Sequence, residues 1–166
     1  MENDILELLE KNSRFSFEDM AKMLGTTKEN VEQIVKKLED NKTICGYTTF
    51  INWDKTQKEG EYITSLIEVK VTPQREQGFD KIAKRIYSFD EVKSVYLMSS
   101  GTFDLLIVIE GKNLKDISSF VSNKLATLDC ILSTSTHFVL KKYKDHGVII
   151  DENTPNDERI IISPWV

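Results

Sequence analysis

Apolar residues return every three or four positions through the first forty residues, and at every second position in several later runs. The first rhythm belongs to helices and the second to strands. Ile5, Leu8 and Leu9 share one helical face, which the stretch from Asn12 to Arg14 ends. Ser16, with Asp19 three positions on, resembles a capping box with Asp in place of the usual Glu. It opens a second helix in which Phe17, Met20, Ala21 and Leu24 keep the i, i+3, i+4, i+7 register. Gly25 closes that helix, Thr26 and Glu29 form another capping box, and a third helix carries Val31, Ile34, Val35 and Leu38 on one side. Helix, tight glycine turn and helix can be a plain αα-hairpin or a helix-turn-helix. The strand-like run ICGYTTFINW that follows is what a winged helix-turn-helix places behind its recognition helix.

DKTQKEG, residues 54–60, has no periodic apolar pattern and reads as a linker. Beyond it, residues 62–71 alternate as a strand with Ile63, Ile67, Val69 and Val71 on one side. Residues 76–88 change period and set Phe79, Ile82, Ala83 and Ile86 on one helical face. Two strands, VKSVYLM and FDLLIVIE, flank the polar turn SSGT. A helix with Leu114, Ile117, Val121, Leu125 and Leu128 at helical spacing and a last strand, ILSTSTHFVLKKY, complete the order β-α-β-β-α-β. That order predicts an α+β, ferredoxin-like domain with both helices on one face of a four-stranded antiparallel sheet. Leu105 to Ile109 is apolar without alternation, so both faces of that strand are expected to be covered. Helices can cover only one; a second copy of the sheet is the simplest cover for the other, predicting a homodimer.

The chain of 166 residues is long enough for two small domains with real cores. We divide it into a winged helix-turn-helix at 1–53, a linker at 54–60, a ferredoxin-like domain at 61–144 and a C-terminal tail at 145–166. A net charge of −5 gives no bulk sign of nucleic-acid binding, so any DNA contact must rest on local basic residues. Cys45 and Cys130, far apart and outside any C-x-x-C or Cys/His cluster, suggest neither a disulfide framework nor a zinc site. The acidic, amphipathic start is unlike a signal peptide, and no apolar run approaches the roughly 20 residues of a membrane span, so a cytoplasmic location is expected.

In order and spacing, ILELLEKNSR, FEDMAKMLGTTKENVEQIVKKLEDNKTICGY with its closing I-x-G-Y, and SGTFDLL inside β-α-β-β-α-β together resemble the Lrp/AsnC family of transcription regulators, over residues 3–143. The resemblance implies a DNA-binding winged helix joined to an effector domain that dimerises and often assembles into octamers or other higher oligomers. It also implies that the G-x-x-D turn, here Gly101, Thr102, Phe103 and Asp104, lines a pocket between dimers for an amino acid or related small metabolite. A glycine lets backbone amides approach a carboxylate, and Asp104 can accept from an α-ammonium group. Ser99 and Ser100 add donors beside the turn, and Thr134 and Thr136, in the S-T-S-T run on the last strand, are expected to contribute to the same pocket. No cofactor or metal is implied.

For double-stranded DNA, the candidates near the third helix's start are Thr27, Lys28, Glu29 and Gln33 for base edges, with Lys36, Lys37 and Lys42 for phosphates. Lysines and glutamates on such a face also serve solvation and i, i+4 pairing. Many family members carry an arginine where this chain has Ile34 and a glycine where it has Lys42. Two other functions share the architecture: an amino-acid sensor whose helix-turn-helix has lost DNA, and a tetrapyrrole decarboxylase. The second is disfavoured because His137 and His146 are the only histidines, and no nucleophile elbow, Walker loop or zinc spacing is present. In the tail, RIII and Trp165 are apolar enough to predict an edge strand or packing on a neighbouring subunit.

Overall fold

The computed structural model describes residues 1–56, 62–72 and 78–150. It divides into two compact units, Met1–Ile51 and Asn52–Val166. The linker's residues 57–60 and the tail from 151 onward lie outside the described residues, and with them the expectation for RIII and Trp165.

The first unit is built from α1 (Glu2–Lys11), α2 (Phe17–Leu24) and α3 (Lys28–Asp40). Its core is Ile5, Met20, Ala21, Val31 and Val35, one set of positions from each helical stripe. Ser16 caps α2 by accepting the Asp19 N–H at 3.1 Å. Gly25 adopts φ +63° after α2, and the Gly25 and Thr26 N–H groups close back onto the Lys22 and Ala21 carbonyls. This is a Schellman ending, and it corrects the second capping box. Thr26 is committed to ending α2, so Thr27 caps α3 by accepting the Asn30 N–H at 3.3 Å. The run ICGYTTFINW also differs from expectation: residues 44–52 form no strand, and Trp53–Lys55 is a single 3-10 turn. A strand needs a ladder partner, and no described residue supplies one there.

The second unit contains β1 (Ile63–Val71), α4 (Asp80–Tyr87), β2 (Val92–Leu97), β3 (Leu105–Gly111), α5 (Leu114–Phe120) and β4 (Ile131–Phe138). All three strand pairings are antiparallel, in the order β2-β3-β1-β4. Ile67, Val69, Val71, Leu105, Ile107 and Ile109 from the inner sheet face pack with Ile82 and Ile86 of α4 and with Ile117 and Phe120 of α5. Gly111 permits close seating of α5: a Cβ there would lie 3.0 Å from Ile117 Cγ1.

Two local results differ from the simple periodic pattern. Val121–Leu125 continues α5 as a π turn, and Leu114 stays exposed while Phe120 takes a buried place. On β3, Leu105, Ile107 and Ile109 are buried but Leu106 and Val108 only half-buried, so β3 does alternate in this single chain. Residues 145–150, assigned to the tail, begin with a two-stranded hairpin of β5 (Lys144–Asp145) and β6 (Val148–Ile149). Its turn uses positive φ at His146 and Gly147, as a tight two-residue hairpin requires. Asn52 Nδ2 donates to the Ile150 carbonyl at 3.3 Å and ties the hairpin to the start of the unit.

Candidate functional site

Burial of Val31, Val35 and Leu38, with Ile34 half-buried against the same core, turns the opposite side of α3 to solvent. Thr27, Lys28, Glu29, Gln33, Lys36, Lys37 and Lys42 are all exposed. Gln33, Lys36 and Lys37 border one shallow depression with Asp40 and Asn41, whereas Thr27, Lys28 and Glu29 lie at the other end of the helix.

The two ends carry different electrostatics. Lys28 Nζ lies 2.6 Å from Glu18, and Lys37 Nζ lies 2.7 Å from Glu2. Hydrogen bonds from these ammonium groups hold both the Glu18 and the Glu2 carboxyls below the usual range. Lys36, like Lys42, has no ion-pair partner among the described residues, whereas Lys28 and Lys37 do. Periodicity could not find Glu2 as a partner, because it lies 35 positions away on another helix. Lys42 closes the helix in the left-handed region, φ +62°, and the Ile44 N–H then reaches the Leu38 carbonyl at 2.9 Å. Such a φ favours glycine. The lysine is held there at some conformational cost, at the point where the chain leaves the helix.

In the second unit, residues 98–104 join β2 to β3. Ser100 Oγ and Thr102 Oγ1 lie 3.1 Å apart, and the Thr102 N–H donates to Ser100 Oγ at 3.2 Å. Gly101 has no positive φ, and a Cβ there would meet nothing within 4 Å. Asp104 is anchored on every side. Its N–H donates to the Val69 carbonyl, its carbonyl receives the Met98 N–H, and its carboxylate accepts the Val71 N–H at 2.9 Å. Lys70 Nζ lies 3.4 Å from its other oxygen. The carboxylate thus adds a rung to the β1–β3 ladder beside the point where the β1–β4 register slips, between Lys70 and Val71.

The strand register sorts the S-T-S-T run. Thr134 pairs with Val69 and Thr136 with Ile67, both buried under the helices. Ser133 pairs with Lys70, and Ser135 with Glu68. Alternation therefore puts Ser133 and Ser135 on the face that carries Asp104 and Lys70, while Thr134 and Thr136 belong to the opposite one. Within one chain, Ser99 to Asp104 are brought together, and the two threonines are not brought to them. Beside Ser135, His137 Nε2 lies 3.5 Å from Glu68 on the same outer face.

A cavity of about 610 Å³ opens at the other end of β3. No sequence motif marks it; its wall includes Glu91, Lys93, Lys112, Phe120 and Lys124. Among the described residues, no group of three or more His, Cys, Asp or Glu side chains is placed to hold a metal ion, and no helix is long and apolar enough to cross a membrane.

Two family models match the chain. Residues 64–149 match the family model of the Lrp/AsnC ligand binding domain, and residues 2–44 match that of a winged helix-turn-helix DNA-binding domain. The uncharacterized HTH-type transcriptional regulator YugG of Bacillus subtilis strain 168 is 50% identical over 163 residues, spanning 98% of this chain and 96% of its own. The HTH-type transcriptional regulator LrpA of Pyrococcus horikoshii is 31% identical over 140 residues, spanning 84% and 94%. Among solved structures, a Neisseria meningitidis transcriptional regulator in complex with L-Met superposes with a TM-score of 0.68 at 19% identity, covering 87% of this chain and 91% of that one. At that identity the likeness is one of fold.

Proposed function

The chain belongs to the Lrp/AsnC family of DNA-binding transcriptional regulators, and from that premise we propose that it senses an amino acid or related small metabolite at the Ser99–Asp104 turn. It is a regulator with a ligand-binding domain, and its curated relatives are named as transcriptional regulators rather than enzymes. The observation that carries the effector assignment is Gly101. Neither its backbone angle nor its packing requires glycine, so the fold itself gives no reason to omit a side chain there. A bound carboxylate approaching the backbone amides would give one. Hydroxyls of Ser100 and Thr102 stand beside it, and Asp104 keeps acceptor capacity toward an ammonium group because Lys70 approaches only to 3.4 Å.

Double-stranded DNA is contacted by α3, with Lys36 and Lys42 the primary phosphate partners, and Lys37 and Lys28 available once they exchange a carboxylate for a phosphate. Thr27, Glu29 and Gln33 stand toward the base edges. The half-apolar outer sheet face, with Leu66, Leu106 and Val108, is covered by a second copy, and dimers join into octamers or other higher assemblies around the turn. The protein acts in the cytoplasm.

Fluorescence anisotropy on DNA upstream of the protein's own gene, at two salt concentrations and with individual amino acids added, tests the assignment. L-methionine is the first effector to try, given the Neisseria complex. Salt-sensitive binding that shifts with one amino acid is the expected result. An amino-acid response with no DNA affinity would instead favour a sensor that has lost DNA, the reading that the Glu2–Lys37 and Glu18–Lys28 pairs support.

A further inference from the structure

The cavity at the far end of β3 is walled by two departures from regular secondary structure. Lys93 is the extra residue of a β-bulge, because Val92 pairs with Ile109 and Ser94 with Val108. A bulge re-aims the side chain it carries. Across the cavity, Asn123 and Lys124 sit in the π turn Val121–Leu125, closed by the Ala126 N–H on the Val121 carbonyl at 2.8 Å. Single π turns inside helices recur at functional sites. Its lining includes the exposed ring of Tyr62 and, almost wholly buried, Ile109, Ile117 and Phe120, and the volume of about 610 Å³ falls within the range of small-molecule sites.

The charges at this cavity are unequally satisfied. Lys124 pairs with Glu91 and lies over the Phe89 and Phe120 rings, 5.1 and 5.8 Å from their centroids. Glu110 faces Lys142 at 3.7 Å, and Asp116 accepts from Asn113. Lys93 and Lys112 have no partner among the described residues, against the single unpartnered carboxylate of Asp90. Glu91 Oε2 is buried and receives no hydrogen bond from a described residue. Two cations without a partner among the described residues, in one groove with the exposed Tyr62 ring, are complementary to a small molecule with one anionic head and an apolar body.

We propose that this groove is a second ligand site, separate from the Ser99–Asp104 turn, taking a small carboxylate with an apolar or aromatic body, its carboxylate held by Lys93 and Lys112 and its body against the exposed ring of Tyr62. An amino acid and its deaminated analogue share that chemistry. They differ in an ammonium group that Asp90 and the orphan oxygen of Glu91 would read.

The test is methyl NMR of the full chain labelled at Ile Cδ1 and Met Cε, titrated in parallel with 3-phenylpropionate and L-phenylalanine. Saturable shifts at Ile109 and Ile117 with either probe are expected, while Met98, beside the other turn, stays still. The double substitution Lys93→Ala, Lys112→Ala changes two exposed side chains with no partner among the described residues and should weaken binding about tenfold or more, the worth of a charge-assisted hydrogen bond. Tighter binding of phenylalanine would assign the ammonium contact; equal or tighter binding of phenylpropionate would show that the carboxylate suffices. Shifts at Met98 alone, no saturable shift at Ile109 and Ile117 with either probe, or an unchanged affinity in the double variant would overturn the site, and none of these outcomes removes the effector assignment at the turn.

Discussion

The Asp104 carboxylate takes the backbone N–H of Val71 at 2.9 Å, supplying from a side chain the acceptor that the β3 backbone no longer offers. One residue therefore serves the end of the sheet as well as the turn proposed to meet the effector. Asp104→Ala should cost about 1–2 kcal/mol, the penalty of leaving a partly buried donor unpaired. Asp104→Asn keeps one acceptor oxygen and should cost less, while still weakening recognition of an ammonium group. Thermal unfolding and effector titration of both variants separate the two roles. Equal losses of stability in the two would argue against the Val71 contact.

Gly101→Ala isolates the effector role, because nothing in the chain opposes the added methyl. Stability should stay within about 0.5 kcal/mol of the parent, as for an ordinary surface change. The effector concentration needed for half response should rise. A parental response would remove the case that Gly101 admits a ligand.

Lys42→Gly should move two properties in opposite directions. Relief of the left-handed backbone strain, offset in part by glycine's greater loss of entropy, should stabilise the first unit by about 0.5–1 kcal/mol. Loss of the ammonium should lower DNA affinity and reduce the salt slope by about one phosphate contact. Unfolding curves and anisotropy at several salt concentrations check both, and a slope equal to the parent's would take Lys42 out of the phosphate set.

Glu2→Gln frees Lys37 without touching α3. DNA affinity should rise and its salt dependence steepen, while the double substitution Lys36→Ala, Lys37→Ala should flatten it. If Glu2→Gln binds DNA no better than the parent, Lys37 is not held back by its carboxylate.

Acid should weaken the Glu91–Lys124 pair. The Lys124 hydrogen bond holds the Glu91 carboxyl below its usual range. A depressed folded-state pKa stabilises the protein above the unfolded value, and that contribution fades as the pH falls through the depressed one. The pair is more than a third exposed, so Glu91→Gln should cost only about 0.5 kcal/mol near neutrality. Unfolding profiles of parent and variant should converge on acidification; a constant gap would mean that the variant acts through packing.

Apolar spacing is enough to read the three N-terminal helices and the β-α-β-β-α-β order, because each element buries one regular stripe, but it does not by itself separate a helix-turn-helix from a plain αα-hairpin. Ile5, Met20, Val31 and Val35 in one unit, and Ile67, Val69, Ile82 and Ile86 in the other, lie where periodicity puts them. Local polar bonds leave a weaker mark on the sequence. Thr26 and Thr27 are chemically equivalent candidates, and only the Schellman ending of α2, which consumes the Thr26 N–H, decides between them. The Val71–Asp104 and Glu91–Lys124 contacts each span 33 positions and leave no periodic trace. Composition marks Thr134 and Thr136 only as polar, whereas strand pairing decides which face they join. The groove leaves no periodic mark, because a bulge and a π turn, the features that shape it, are breaks in the rhythm from which elements are read.

Strand β3 begins beside the Ser99–Asp104 turn and ends at Gly111 in the groove wall, six residue steps or about 20 Å away. Paired with β1 along its whole length and with β2 over Leu105–Ile109, it joins the two segments proposed to meet ligands. Any free energy by which occupancy of one end alters affinity at the other must be returned in equal measure in the reverse direction. Two metabolites read by one strand would then make the regulator respond to their combination rather than to either alone.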